Sequence, residues 1–158
     1  MPELDLNKTQ ENIESLKGKI WEKQTEATLA SDNSNDETLS VVLLEIARHN
    51  SALGQNAATA KAIARDMKRV VDDLKKERDI KVSQLTLDLV NSGSPVGKAE
   101  HRAKVSAHKE FKPLIDNAFS IYNKVQLIAD QADDLSFRTD TFTKLGQTRV
   151  SLLKADKK

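Results

Sequence analysis

From Ile46 to Leu74 the chain repeats one spacing. Ile46, Asn50, Leu53, Ala57, Ala60, Ala64, Met67, Val71 and Leu74 follow one another at alternating steps of four and three residues. That is the a/d period of a helix packed lengthwise on another helix. One position is polar, Asn50, and four are small or flexible. The stripe predicts helix-on-helix packing through a weak seam that needs a partner. It specifies no chemistry, so function has to come from the surface around it.

Composition agrees with elongated helices. Aromatic residues make up only 4% of the 158 residues, whereas charged residues make up 31%, a balance that suits long helices better than a thick globular core. The length fits one domain, or one helical unit of an assembly. The absence of cysteine excludes thiolate chemistry and disulfides and suits a reducing cytoplasm. No apolar run approaches the roughly 18 residues that span a bilayer, and the acidic, polar start MPELDLNKTQENIE is unlike a signal peptide. The expectation is a cytoplasmic protein without a membrane partner.

The net charge of +1 conceals segregation. Residues 1–40 carry four Lys against nine acids, and residues 60–112 carry thirteen Lys and Arg against eight acids. Residues 113–140 are acidic again, and residues 141–158 carry five bases and one acid. Two basic zones between acidic ones suit an anionic polymer or the acidic zones of neighbouring copies.

Along the chain, residues 1–9 read as loose. An amphipathic helix is expected over about 11–30, with Ile13, Leu16, Ile20, Ala27 and Leu29 on its apolar face and Trp21 beside it. Ser31 to Asp36 reads as a loop. Ser34 with Glu37 has the capping-box spacing, and Asp36 is a second candidate cap. The long helix then runs to Asn91, with Gly54 its only potential breaker. The segment 91–97, NSGSPVG, forms an elbow in which Ser94 can cap and Pro95 suits the first helical position. A return helix carries Phe111, Leu114, Ala118, Ile121, Val125, Ile128, Ala132 and Leu135, with a kink or break expected at Pro113. Asp134 or Ser136 is the expected cap of a last helix bearing Phe137, Phe142, Leu145 and Leu152. The fold class is all-α: a long antiparallel helical hairpin with shorter N- and C-terminal helices, oligomeric. Residues 1–36 form an N-terminal helix and polar linker, and residues 37–158 the hairpin with the C-terminal helix.

Catalytic chemistry is hard to assemble. His101 and His108 are seven apart near one helix face, but zinc needs about four ligands and no third or fourth is evident. The segment Gly93 to Lys98 resembles a phosphate loop only superficially. It has three residues, not four, between its glycines, and Ala99 stands where Ser or Thr is required. No nucleophile–base arrangement is apparent, so neither an enzyme nor a cofactor is expected. The remaining candidate is nucleic-acid binding. Lys61, Arg65, Lys68, Arg69, Lys75, Lys76, Arg78 and Lys81 lead into the elbow, and Lys98, Arg102, Lys104, Lys109 and Lys112 lead out of it. Folding at the elbow is expected to bring both sets to one end, where they would bind phosphates in a salt-dependent, sequence-tolerant manner. Acids interrupt each basic run, so a plain solvated helix surface is the competing reading. No aromatic stacking platform is evident; Phe111 and Tyr122 have core spacing.

The order of these features resembles the UvsY-type recombination mediators of T-even-like phages. The local match is strongest over residues 98–110, KAEHRAKVSAHKE, where the family has a Lys-x-Glu-x-Lys stretch followed by Leu-Ser-Ala-Asp-Lys-Asp. Upstream, the segment 44–51 with Arg48, His49, Asn50 and Ser51 is similar to the family's early helix. Downstream, Ser136-Phe137-Arg138 stands where the family has Arg-Gly-Phe. The resemblance covers roughly residues 40–150. The chain departs from the family at Pro113 and at Leu135-Ser136. Arg149 comes too late to match the closing Arg-Phe, and the N-terminal helix with Trp21 is an addition. The resemblance implies an all-helical protein that forms rings, binds single-stranded DNA, helps displace single-strand-binding protein and loads a RecA-like recombinase. It places DNA contacts on Lys75, Lys76, Arg78 and Lys81, with Lys98, Arg102 and Lys104 second. Two other readings stay open: a structural coiled-coil component of phage assembly or scaffolding, and a small helical inhibitor of a partner protein.

Overall fold

The computed structural model describes residues 2–157, with side chains from residue 6 onward. It contains three helices, α1 (Pro2–Asp32), α2 (Asp36–Asn91) and α3 (Val96–Asp156), and no strand among the described residues. The all-α expectation holds. The chain divides into two compact units. Unit 1 joins the residues up to Ala62 with those from Gln126, and unit 2 is Ile63–Val125. This division runs across α2 and α3, and α1 shares unit 1 with parts of both.

α1 begins earlier than the sequence suggested. The segment read as loose is helical because Leu6 and Thr9 extend the stripe of Ile13, Leu16 and Ile20 backwards at the same period, and both are buried. The expected face was wrong at one point: Leu29 is exposed and Ala30 is buried in its place. Trp21 also points to solvent, 71% exposed.

The connection to α2 is shorter than expected, because α1 continues through Asp32. The Asn35 N–H donates to the Ala30 carbonyl (2.8 Å) and the Ser34 N–H to the Ser31 carbonyl (3.1 Å). Ser34 adopts a left-handed φ of 56°. This is the Schellman closure of a helix C-terminus. Ser34 is thereby committed to ending α1, and the cap of α2 falls to Asn35. Its Oδ1 accepts the Thr38 N–H at 3.1 Å. Neither expected cap acts as one, and Asp36 is instead buried and paired with Lys157. Arg149 of α3 donates to the Ser31 hydroxyl (3.3 Å) and carbonyl (3.4 Å), placing a cation at the negative end of the α1 dipole.

Among the described residues, the core of unit 1 includes two apolar clusters. In one, Ala27, Ala30, Leu39, Val42, Leu43, Ile46, Val150 and Leu153 pack together, with Phe142 against them. In the other, Ile13, Ile20, Leu53, Ala57 and Ala132 are joined by Leu16, Ile128 and Leu135. Thr139 and Thr143 are buried as well, each donating to the carbonyl four residues back (2.7 and 3.0 Å). Asn50 donates to the Ser136 carbonyl at 3.2 Å while its buried Oδ1 has no partner.

α3 is one helix. Pro113 lies inside it without dividing it, and the separate C-terminal helix expected after Asp134 or Ser136 does not exist. Asp134 is an exposed mid-helix residue paired with Arg138 at 3.1 Å. The expected face of that helix is largely reversed. Phe137, Leu145 and Leu152 are exposed, whereas Thr139, Thr143, Val150 and Leu153 face the core. The reason is continuity. The stripe through Val125, Ala129 and Ala132 runs on at the same period through a helix that never restarts, and it reaches threonines. Leu114 also falls outside the buried set. Gly54 does not break α2.

Two glycines test this packing in opposite directions. A Cβ on Gly146 would lie 2.6 and 2.8 Å from the Leu43 methyls, whereas one on Gly18 would meet nothing within 4 Å. Gly18→Ala is expected to stabilise by about 0.5–1 kcal/mol through helix propensity. Gly146→Ala is expected to destabilise by about 1–3 kcal/mol through overpacking, despite the same propensity gain. Urea unfolding of the two variants reads both signs. A pH test addresses the α1–α2 contact. Lys23 stands 2.8 Å from Glu45, and this hydrogen bond holds the Glu45 carboxyl below its ordinary value of 4.5. The stability it contributes is present above that value and is lost as pH falls through the lower native one. The melting-temperature gap between the wild type and Glu45→Gln should therefore shrink as the pH is taken from 6 towards 3.

Candidate nucleic-acid interface

The ranked DNA contacts, Lys75, Lys76, Arg78, Lys81, Lys98, Arg102 and Lys104, all lie in unit 2, whereas Lys61 lies in unit 1 and pairs with Asp133. The seam of unit 2 is built from Ile63, Ala64, Met67 and Val71 of α2 and Ala99, Ala103, Ala107, Phe111, Ala118 and Val125 of α3, all buried. Leu74, Arg78, Lys81, Val82, Leu85 and Leu89 of α2 are half-buried. Alanines at every fourth residue let α2 side chains lie close against α3. Long basic side chains at such positions cover a seam with their aliphatic stems while their heads stay in water.

The first-rank basic residues therefore do not form one surface. Lys75 and Lys76 are exposed, but Arg78 and Lys81 continue the a/d period and are half-buried. The Arg78 Nε lies 3.3 Å from its neighbour Asp79. At about 100° per residue, Lys76 points roughly 160° away from Arg78 around α2. Nor do these residues gather at the elbow, since Lys81 lies about 15 Å of helix rise before the end of α2.

α3 presents a more regular arrangement. Lys98, Arg102, Val105, Lys109 and Lys112 recur at steps of four and three, and all are exposed. They occupy the helix face opposite the buried alanines. Lys98, Arg102 and Lys109 pair with no carboxylate among the described residues, and Lys112 has only Asp116 at 3.9 Å. Lys104 lies off this line, beside the seam, with Glu100 at 3.9 Å. His101 and His108 flank the line and are exposed. Among the described residues no group of three or more potential metal ligands exists.

The turn contributes as well. Gly93 (φ 97°) closes α2 with its N–H on the Val90 carbonyl (3.0 Å), while the Ser94 N–H donates to the Leu89 carbonyl (3.0 Å). The first bond of α3 runs from the Ala99 N–H to the Pro95 carbonyl (2.9 Å), so Pro95 takes the cap position expected of Ser94, and the helix begins at Val96, one residue later than expected. No acid lies in the first turn of α3. The positive end of its dipole and Lys98 act with the same sign there.

Lys109 and Lys112 were visible in the basic count but not ranked as contacts. The signal that ranks them is subtractive. Once Ala99, Ala103 and Ala107 are recognised as a core stripe, the opposite face follows at Lys98, Arg102, Lys109 and Lys112.

No protein-family model, curated protein or solved structure matches this chain. No helix among the described residues is long and apolar enough to cross a membrane.

Asp116 is the one acid on the α3 line. Its removal should strengthen the attraction of any polyanion for this face. Asp116→Asn is expected to tighten binding of an oligonucleotide several-fold at low salt and to lose that gain at high salt, read by fluorescence anisotropy.

Proposed function

We propose that this protein is a single-stranded-DNA-binding recombination mediator of the UvsY type, non-catalytic and free of cofactors. The observation that carries the reading is the α3 line of exposed cations, Lys98, Arg102, Lys109 and Lys112, three of them without acidic partners among the described residues. Such a line contacts consecutive phosphates and carries no base-edge readout, which suits a protein that must coat any sequence. The strongest stretch of the family resemblance, residues 98–110, coincides with it. In this reading α2 and α3 form an antiparallel hairpin, copies assemble into a ring, and the bound strand is handed from single-strand-binding protein to a RecA-like recombinase.

A structural coiled-coil role is favoured by a different observation, the long a/d period with its polar Asn50. It accounts for the seam but not for a line of four cations of which three have no acidic partner among the described residues.

The test is a salt series of anisotropy measurements with a labelled single-stranded oligonucleotide and a matched duplex. Binding should prefer the single strand and fall with salt. Changing Lys98, Arg102, Lys109 and Lys112 together to Gln should flatten the salt slope by about 0.7 per lost phosphate contact. Changing Lys75, Lys76, Arg78 and Lys81 to Ala should flatten it less, since Arg78 and Lys81 belong to the seam. Absence of binding to either nucleic acid at low salt removes the mediator reading.

A further inference from the structure

The cationic line of α3 does not stop at Lys112. The same steps of four and three lead through Asp116 to Phe119, two helical turns beyond Lys112 on the same face. Phe119 is 49% exposed, although burial of a phenylalanine ring is favourable. Its ring stands 6.1 Å, centroid to centroid, from that of Tyr122, at an interplanar angle of 35°. Tyr122 is half-buried, so it holds one side of this aromatic pair while Phe119 stays exposed. The two aromatic residues weighed in the sequence, Phe111 and Tyr122, are the packed members of this helix. Phe119, the exposed aromatic residue of unit 2, has no place in that core spacing.

We infer that Phe119, buttressed by Tyr122, is a base-stacking platform that takes an unpaired nucleobase of a strand whose phosphates run along Lys98, Arg102, Lys109 and Lys112. This rests on the proposed function and adds what a line of cations lacks, a means of telling a single strand from a duplex. Phosphates are common to both forms, but only a single strand can turn a base out onto an aromatic ring without breaking pairs. Every base has a π-face, so the contact is indifferent to sequence. The rise of helix between Lys112 and Phe119 is about 10 Å, within reach of adjacent nucleotides on one strand. Asp116 lies between them, where it disfavours a phosphate and leaves the base as the group to be accommodated.

The experiment compares an oligothymidylate with an abasic phosphodiester oligomer of equal length and charge, using the full chain. A parallel pair of titrations with oligouridylate and oligothymidylate separates RNA from DNA. The wild type should bind the base-bearing strand about five- to a hundredfold more tightly than the abasic one, the range expected for one stacked base. Phe119→Leu should abolish that preference and leave the salt slope unchanged. Phe119→Tyr should restore it. A 2-aminopurine placed in the strand should lose fluorescence on binding to the wild type but not to Phe119→Leu, whose helix content is checked by circular dichroism. Equal binding of the abasic and base-bearing strands by the wild type overturns the stacking platform while leaving the phosphate-binding reading intact. A preference that survives in Phe119→Leu overturns the assignment to Phe119. Failure of the wild type to bind either oligomer at low salt overturns the phosphate-binding reading and the platform with it.

Discussion

In unit 1 Leu43 of α2 packs directly on Gly146 of α3, and much of the rest of that unit depends on this contact. Gly146 has no side chain, so the Leu43 methyls occupy the space where a Cβ would be. The helices around this contact meet mainly through small and aliphatic residues, with Phe142 packed against them. Their shared interior is filled by Ala57, Ala132, Leu53 and Ile46, with Ala27 and Ala30 brought in from α1. The large side chains Trp21, Phe137 and Leu145 stand outside instead. Small residues thus set the helix spacing, and the spacing decides which apolar residues are core.

Of the buried polar groups in this seam, Asn50 is the one that costs stability. Thr139 and Thr143 satisfy their hydroxyls on their own helix. Asn50 reaches across to the Ser136 carbonyl but leaves its Oδ1 without a partner. A buried group in that state costs about 1–3 kcal/mol. A shift of one turn along the seam would instead bring Asn50 into the apolar layers of Ile46 or Leu53, where its amide would be stranded as well. A single polar seam residue that holds register is a known use of Asn in paired helices.

In unit 2 the same economy creates the candidate site. Burying Ala99, Ala103 and Ala107 turns the opposite face of α3 outward, and that face carries Lys98, Arg102, Lys109, Lys112 and Phe119. Core and site are two readings of one periodicity, half a helix turn apart. Arg78 and Lys81 show the reverse case: their charge suggests a surface role, but their phase assigns their stems to the seam.

The helical character, the a/d stripe of α2 and the position of the elbow were legible in the sequence, because each depends on local spacing and on Gly, Pro and Ser in the turn. The beginning of α1 was not, because Leu6 and Thr9 make sense only once a partner covers them. The continuity of α3 was hidden by Pro113 and by plausible caps at Asp134 and Ser136. Local signals there argued for an end, and burial of Ala132, Thr139 and Thr143 along one stripe overrode them. The cap of α2 moved to Asn35 because Ser34 was already used to close α1. The basic character of residues 60–112 belonged to the sequence alone. Which of those cations share a face, and which are drawn into a seam, was decided by tertiary structure. Charge is a property of a residue, but exposure and direction exist only once the opposite side of the helix has been buried.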